Sequence, residues 1–118
     1  MAEHGTIRIP DEEYKQRVQR AAKILQREGL DALIVNSNEA DYANARYFSG
    51  FWPLFERCGV AISPAGDAAL MVGPESREFG ADRCKLDKVF VLKAYRESAD
   101  PAYPELQADT YQDVFNAL

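Results

Sequence analysis

The chain has 118 residues, 47% of them apolar and 28% charged, which suits one globular domain able to bury a single core. Its formal net charge is −5, with 19 acids and 14 bases spread along the sequence, and that excludes the clustered basic face needed for nucleic acid or an anionic membrane. No run approaches the roughly 20 apolar residues of a membrane span, and the N-terminus has no signal-peptide core. Cys58 and Cys84 form neither a CxxC nor a metal spacing, so both read as reduced, buried thiols of a cytoplasmic protein.

Residues 1–10 read as a tail in which Thr6-Ile7-Arg8-Ile9 adds an edge segment. The sole histidine, His4, lies in this tail and is assigned no catalytic or metal role. Residues 11–118 form the domain. Asp11 to Glu28 is an amphipathic helix: Asp11, Glu12 and Glu13 suit the positive end of its dipole, and Tyr14, Val18, Ala21, Ala22 and Leu25 recur at helical spacing. Lys15, Arg17, Arg20 and Lys23 read as its solvated face. Gly29 can take the left-handed position that ends the helix, with Leu30 folding back over it.

Asp31 to Asn36 carries the apolar run Ala32-Leu33-Ile34-Val35, read as a strand buried on both faces. Asn36-Ser37-Asn38-Glu39 then turns the chain off the strand end, where open α/β sheets usually build their sites. A short helix is expected within Glu39 to Arg46, with Tyr42, Ala43, Tyr47 and Phe48 in the core. Gly50 frees the turn into Phe51-Trp52-Pro53-Leu54-Phe55, the most aromatic stretch, where Pro53 argues against a regular strand. An apolar loop of that kind is either folded on the core or a partner surface.

Gly59 to Ser63 and Ala68 to Val72 flank Pro64-Ala65-Gly66-Asp67, so they predict an antiparallel hairpin. Gly73-Pro74-Glu75 opens a helix to about Arg83, and Lys88 to Ala94 is the fourth strand. Thr110 and Asp113 have capping-box spacing before a final helix, on which Tyr111, Val114, Phe115 and Leu118 share a stripe. That pattern stops at Leu118 without a glycine, a proline or a basic last turn, and reads as a cut before a further domain. The sum is an α/β fold with a mixed sheet flanked by helices.

The carboxylates fall in helix first turns or beside Lys and Arg and read as solvated. No GxSxG elbow, P-loop, dinucleotide fingerprint or histidine-based metal set occurs, so the chain alone offers no catalytic machinery.

The order of Gly-Leu-Asp-Ala-Leu-Ile-Val at Gly29 to Val35, Asn38-x-x-x-Tyr42 and Tyr47-Phe48-Ser49-Gly50 resembles the N-terminal domain of the creatinase/prolidase/aminopeptidase P family, the pita-bread metallohydrolases. Gly59-Val60-Ala61-Ile62, the Pro-Ala-Gly-Asp hairpin and Val72-Gly73-Pro74-Glu75 extend the resemblance over nearly the whole chain from Tyr14. The resemblance implies a ribonuclease-H-like α/β domain preceding a C-terminal catalytic domain of the same polypeptide. It implies no cofactor in this chain. A divalent metal (Mn, Co or Zn) is expected in the catalytic domain of a peptidase, and none in a creatinase-like C–N hydrolase.

It further implies a homodimer in which this domain reaches the partner subunit's active site. There the Phe-x-Arg at Phe55-Glu56-Arg57 is the substrate-contact candidate, followed by Tyr47 and Trp52. The intervening segment is shorter than in creatinase. The expected function is a non-catalytic accessory domain of an Xaa-Pro dipeptidase or aminopeptidase, serving dimerisation and substrate access. A free-standing binding or oligomerisation module of the same fold is the alternative.

Overall fold

A computed structural model describes residues 7–53, 56–97 and 108–118. Helix α1 (Asp11–Glu28) buries the five predicted stripe residues, because their spacing puts them on one face. Gly29, at φ 68°, ends it: the Gly29 and Leu30 amides donate to the Gln26 and Leu25 carbonyls at 3.3 and 2.9 Å. The backbone closes this cap while the Leu30 side chain is exposed. Ile7 to Ile9 form no strand, and both isoleucines are exposed, so the expected edge segment is absent over those residues; His4 and Thr6 lie outside the described residues.

Strands β1 (Leu33–Ser37), β2 (Cys58–Ile62), β3 (Ala68–Val72) and β4 (Lys88–Val91) stand in that order in one mixed sheet. β1–β2 and β2–β3 are antiparallel, and β3–β4 is parallel, the chain crossing over through α3 (Arg77–Arg83). The hairpin is as expected, with Gly66 at φ 92° in its loop. Val35, Val60, Leu70 and Val89 form one row across all four strands. Beneath that row lie Val18, Ala21 and Leu25 of α1, Ala45 of α2 and Phe51. The reverse face carries a smaller core of Ala61, Ala69, Met71, Leu92, Tyr95 and Val114.

β1 is an edge strand and is not buried on both faces. Leu33 and Val35 face the α1 layer, but Ile34 on the reverse side is 38% exposed. Its apolar run has the composition of a central strand, but its place in the order leaves the reverse face uncovered at that edge. Helix α2 spans Ala43–Ser49, later than expected. Ala45, Phe48 and Ser49 turn inward at i, i+3 and i+4, so Tyr42 and Tyr47 are 39% and 44% exposed and Ala43 is exposed too.

The second predicted helix begins as a 3-10 turn at Pro74–Ser76 before α3. β4 is shorter than expected: the Leu92 amide donates to the Val72 carbonyl at 2.9 Å, and the chain then enters a 3-10 turn at Lys93–Tyr95. Asp109 clips the end of β4, its amide donating to the Val91 carbonyl at 2.8 Å and its carboxylate accepting from the Val91 amide at 2.9 Å. It leads into α4 (Tyr111–Ala117), whose capping box forms as predicted between Thr110 and Asp113. Val114 is buried on the sheet, while Tyr111 and Phe115 stay largely exposed, so only part of the apolar stripe packs.

Candidate functional site

The end of β1 is shaped by side chains that satisfy the backbone as it turns. Asn38 Oδ1 accepts from the Ala40 and Asp41 amides at 2.9 and 2.8 Å, and Ser37 Oγ accepts from the Ala45 amide at 2.9 Å. Buried Ser49 donates to the Ala45 carbonyl at 2.6 Å and accepts from the Phe51 amide at 3.1 Å. With Gly50 at φ 74°, this fixes the exit from α2: Phe51 goes into the core, Trp52 outward and Pro53 inward.

Tyr47 belongs to a cationic clamp between α1 and α2. Arg17 stacks over its ring at 4.3 Å and over Tyr14 at 5.2 Å, and donates to the Tyr47 carbonyl at 2.8 Å and to Glu13 at 3.0 Å. Arg20 donates to the Tyr47 hydroxyl at 3.5 Å and to Glu13 at 3.3 Å. The Arg17 and Arg20 hydrogen bonds hold the Glu13 carboxyl below its ordinary range, and the Tyr47 and Glu13 bonds raise Arg20. Arg17 is therefore mostly covered and is no member of a solvated face. Arg17→Ala is expected to cost about 1–2 kcal/mol through lost stacking and a lost charged hydrogen bond, read as a lower urea midpoint at unchanged m-value. A loss within about 0.3 kcal/mol would show that the clamp is idle.

Trp52 has other partners. Arg46 lies 4.3 Å over its ring and 5.9 Å from Tyr42, and Tyr42 itself is 6.4 Å from Trp52. Trp52 walls a cleft of about 180 Å³, with Gly50, Phe51 and Glu56 on its side and Ser76, Phe79 and Arg83 opposite. Arg83 stacks over Phe79 at 5.2 Å.

Glu56 and Ser76 are buried at the bottom, so Glu56 departs from the expectation that the carboxylates are solvated. Period two accounts for it: Glu56, Cys58, Val60 and Ile62 alternate onto the face that meets α1. That parity was available in the sequence, as was the i, i+4 spacing of Phe79 and Arg83.

Arg57, of opposite parity, is exposed and points to the reverse side, donating to the Ala94 carbonyl at 3.4 Å. Phe55 lies outside the described residues. Arg57 neighbours a polar chain that sequence reasoning missed: Tyr111 Oη donates to Tyr95 Oη at 3.1 Å, and Tyr95 Oη donates to Asn36 Oδ1 at 2.7 Å. Burial, and then the hydrogen bond from Tyr111, push the Tyr95 hydroxyl up, with Arg57 acting in the opposite sense. Of the sequence candidates, Tyr47, Trp52 and Arg57 thus occupy three different settings: the α1 clamp, the cleft and the reverse face.

Cys58 and Cys84 are free thiols, and burial pushes them up to about 12 and about 11. Neither has the thiolate character of a nucleophile. Among the described residues, no three His, Cys, Asp or Glu side chains converge as metal ligands, so the residues present do not fit a metal site. Among them also, no helix is long and apolar enough to cross a membrane.

A four-stranded mixed sheet with helices on it, and with polar residues gathered at strand ends, defines an α/β domain. The profile of the creatinase/prolidase N-terminal domain matches residues 17–117, and the chain belongs to that family.

Two solved structures share the fold. The N-terminal, creatinase/prolidase-like domain of a protein described as a metallopeptidase from Corynebacterium diphtheriae is 18% identical, with a TM-score of 0.57 over 67% of this chain and 59% of that one. The N-terminal domain of the cytoplasmic peptidase PepQ from Mycobacterium tuberculosis H37Rv is 24% identical, with a TM-score of 0.56 over 68% and 58%. The chain therefore spans less than two thirds of either structure's length. No curated protein sequence matches it.

Proposed function

We propose that this chain is the non-catalytic N-terminal domain of a pita-bread metallohydrolase, an Xaa-Pro dipeptidase or aminopeptidase, acting in dimerisation and substrate access. The observation that carries the proposal is the family profile running over residues 17–117, and the fold shared with peptidase N-terminal domains supports it. In this role the domain precedes a catalytic domain on the same polypeptide, where Mn, Co or Zn is bound and the chemistry is done. Residues 1–10 are a tail and 11–118 the domain proper. A homodimer brings the domain to the partner subunit's active site, and the cytoplasm is its compartment, as for PepQ.

Arg57 is the substrate contact of first choice. It is exposed at the start of β2, and a guanidinium fork binds a carboxylate bidentately. Phe55 would shield that pair from water, and Tyr47 and Trp52 rank behind, because each is engaged by an arginine of its own.

Two experiments test the proposal. The purified chain, given Mn²⁺ or Co²⁺, is expected to hydrolyse no Xaa-Pro dipeptide; metal-dependent turnover by pure protein would sink it. The gene read past the codon for Leu118 is expected to continue into a domain with spaced Asp, Asp, His, Glu and Glu ligands. A continuation without them would favour a creatinase-like C–N hydrolase, and an immediate stop a free-standing binding module.

A further inference from the structure

Asn36 and Arg57 share the reverse face of the sheet. Asn36 stands across from Gly59 in the β1–β2 register, and Arg57 precedes Gly59 by two residues on the same side. Diagonal neighbours of this kind lie about 7–8 Å apart, within reach of one ligand when one of them is an arginine. Gly59 puts no side chain between them. A Cβ there would come 2.8 Å from Tyr95 Oη and 3.1 Å from Asn36 Oδ1, so the glycine is what lets the tyrosine hydroxyl reach Asn36.

That hydroxyl decides how Asn36 is turned. Tyr111 Oη donates to Tyr95 Oη at 3.1 Å, which commits the Tyr95 proton to Asn36 Oδ1 at 2.7 Å. With its oxygen held by the buried tyrosine, exposed Asn36 directs Nδ2 away from it, and that nitrogen has no partner among the described residues.

Arg57 is equally unspent. One of its N–H groups rests on the neutral Ala94 carbonyl at 3.4 Å, and among the described residues no carboxylate pairs with it. Arg17, Arg20 and Arg27, by contrast, each hold a glutamate. Arg57 acts on the Tyr95 hydroxyl as a positive charge, so it stands beside this chain of hydrogen bonds. The acids on the segment packed over this face are engaged with backbone, Asp109 with the Val91 amide at 2.9 Å and Asp113 with the Thr110 amide at 2.8 Å. Two neighbouring donors without acceptors call for a ligand that brings them, and a carboxylate is what a guanidinium fork fits.

We propose that Asn36 is a second ligand contact beside Arg57. The C-terminal carboxylate of a peptide accepts from the Arg57 fork, and the peptide carbonyl next to it accepts from Asn36 Nδ2. Tyr95 and Tyr111 are positioning residues that keep the amide turned for this bond. The inference rests on the reading of Arg57 as a substrate contact and adds which end of the substrate it takes.

The test is a titration of glycyl-proline into the whole chain, followed by side-chain and backbone N–H resonances in NMR. The expected result is saturable shifts of the Asn36 side-chain amide and the Arg57 Nε–H with one Kd, below about 10 mM. Glycyl-proline amide, which lacks the carboxylate, should bind about tenfold more weakly or worse. Asn36→Asp keeps an acceptor for Tyr95 but loses the donor, so it should weaken binding about tenfold or more with the fold intact. Tyr95→Phe leaves both ligand contacts in place, yet should weaken binding about threefold or more. Before any peptide is added, it should also give Asn36 the side-chain resonances of a free amide, which a merely structural role would not do. Shifts at Arg57 with none at Asn36, or full binding by Asn36→Asp, would overturn this inference and leave the Arg57 contact standing. Equal binding of the amide would overturn the carboxylate assignment, and no saturation by about 50 mM would overturn both contacts. The hydrolase reading is decided separately, by the gene beyond Leu118.

Discussion

Gly73→Ala is expected to cost about 3 kcal/mol or more, a large share of the roughly 5–15 kcal/mol that a domain has in all. Gly73 stands between the end of β3 and Pro74, and its backbone at φ −81° and ψ 168° is one that any residue adopts. The constraint is the neighbour. A Cβ there would overlap the carbonyl oxygen of Tyr95 and lie 2.8 Å from its carbonyl carbon, closer than real Cβ atoms come.

That carbonyl cannot step aside. The Tyr95 amide is bonded to the Leu92 carbonyl at 3.1 Å, its hydroxyl to Asn36 at 2.7 Å, and its ring is buried in the core of the reverse face. The substitution must therefore shift β3 or peel the 3-10 turn from the sheet. Gly29→Ala is the control: at φ 68° it meets no atom within 4 Å, so it carries only left-handed strain of about 1–2 kcal/mol. Urea midpoints at constant m-value would rank the two. A Gly73→Ala variant as stable as Gly29→Ala would mean that the turn does not pack against β3 as described.

The elements legible in the sequence are those whose instructions are local. α1 has its acidic first turn, its stripe and its glycine cap within one segment, and the β2–β3 hairpin has its proline and glycine in the loop itself. The capping box of α4 is a matter of two residues, Thr110 and Asp113. What could not be read depends on position in the sheet. Leu33-Ile34-Val35 has the composition of a central strand, but strand order decides which faces are covered, and a run of apolar residues does not encode order. Tyr42 and Tyr47 look like core because they are aromatic. They stay outside because Ala45, Phe48 and Ser49 already supply the inward face of a two-turn helix, and because arginines from α1 and α2 cover the rings.

The site was legible in kind but not in arrangement. The aromatic stretch after Gly50 divides residue by residue, with Phe51 in the core, Trp52 at the cleft and Arg57 on the opposite side of the sheet. The parity of β2 separates Glu56 from Arg57 and sends them to different faces. Arg46, Phe79 and Arg83 come from α2 and α3, and the crossover to β4 sets where α3 lies. That is information at the level of topology, available only once the sheet is built.

Alkaline pH is expected to unfold the domain through its two thiols. Between about 9, the ordinary thiol value, and the raised values of about 12 for Cys58 and about 11 for Cys84, the unfolded chain has lost protons that the folded chain keeps. The folded state then binds more protons than the unfolded one, so stability falls as pH rises. Each thiol removes about 1.4 kcal/mol per pH unit across its window. Together they remove about 5 kcal/mol by about pH 11, within reach of the roughly 5–15 kcal/mol that a domain has in all. The Tyr95 hydroxyl, also raised by burial, acts in the same direction at higher pH.

Urea midpoints are therefore expected to hold steady from about pH 7 to about pH 8.5 and then to fall steeply. Growing negative charge would destabilise the fold as well, and Cys58→Ala separates the two causes. That variant starts less stable, because it leaves a hole beside Val60 and Val72, but its stability should fall less steeply with pH, by about one proton. If Cys58→Ala keeps the slope of the parent chain, charge repulsion and not thiol burial governs the alkaline limit.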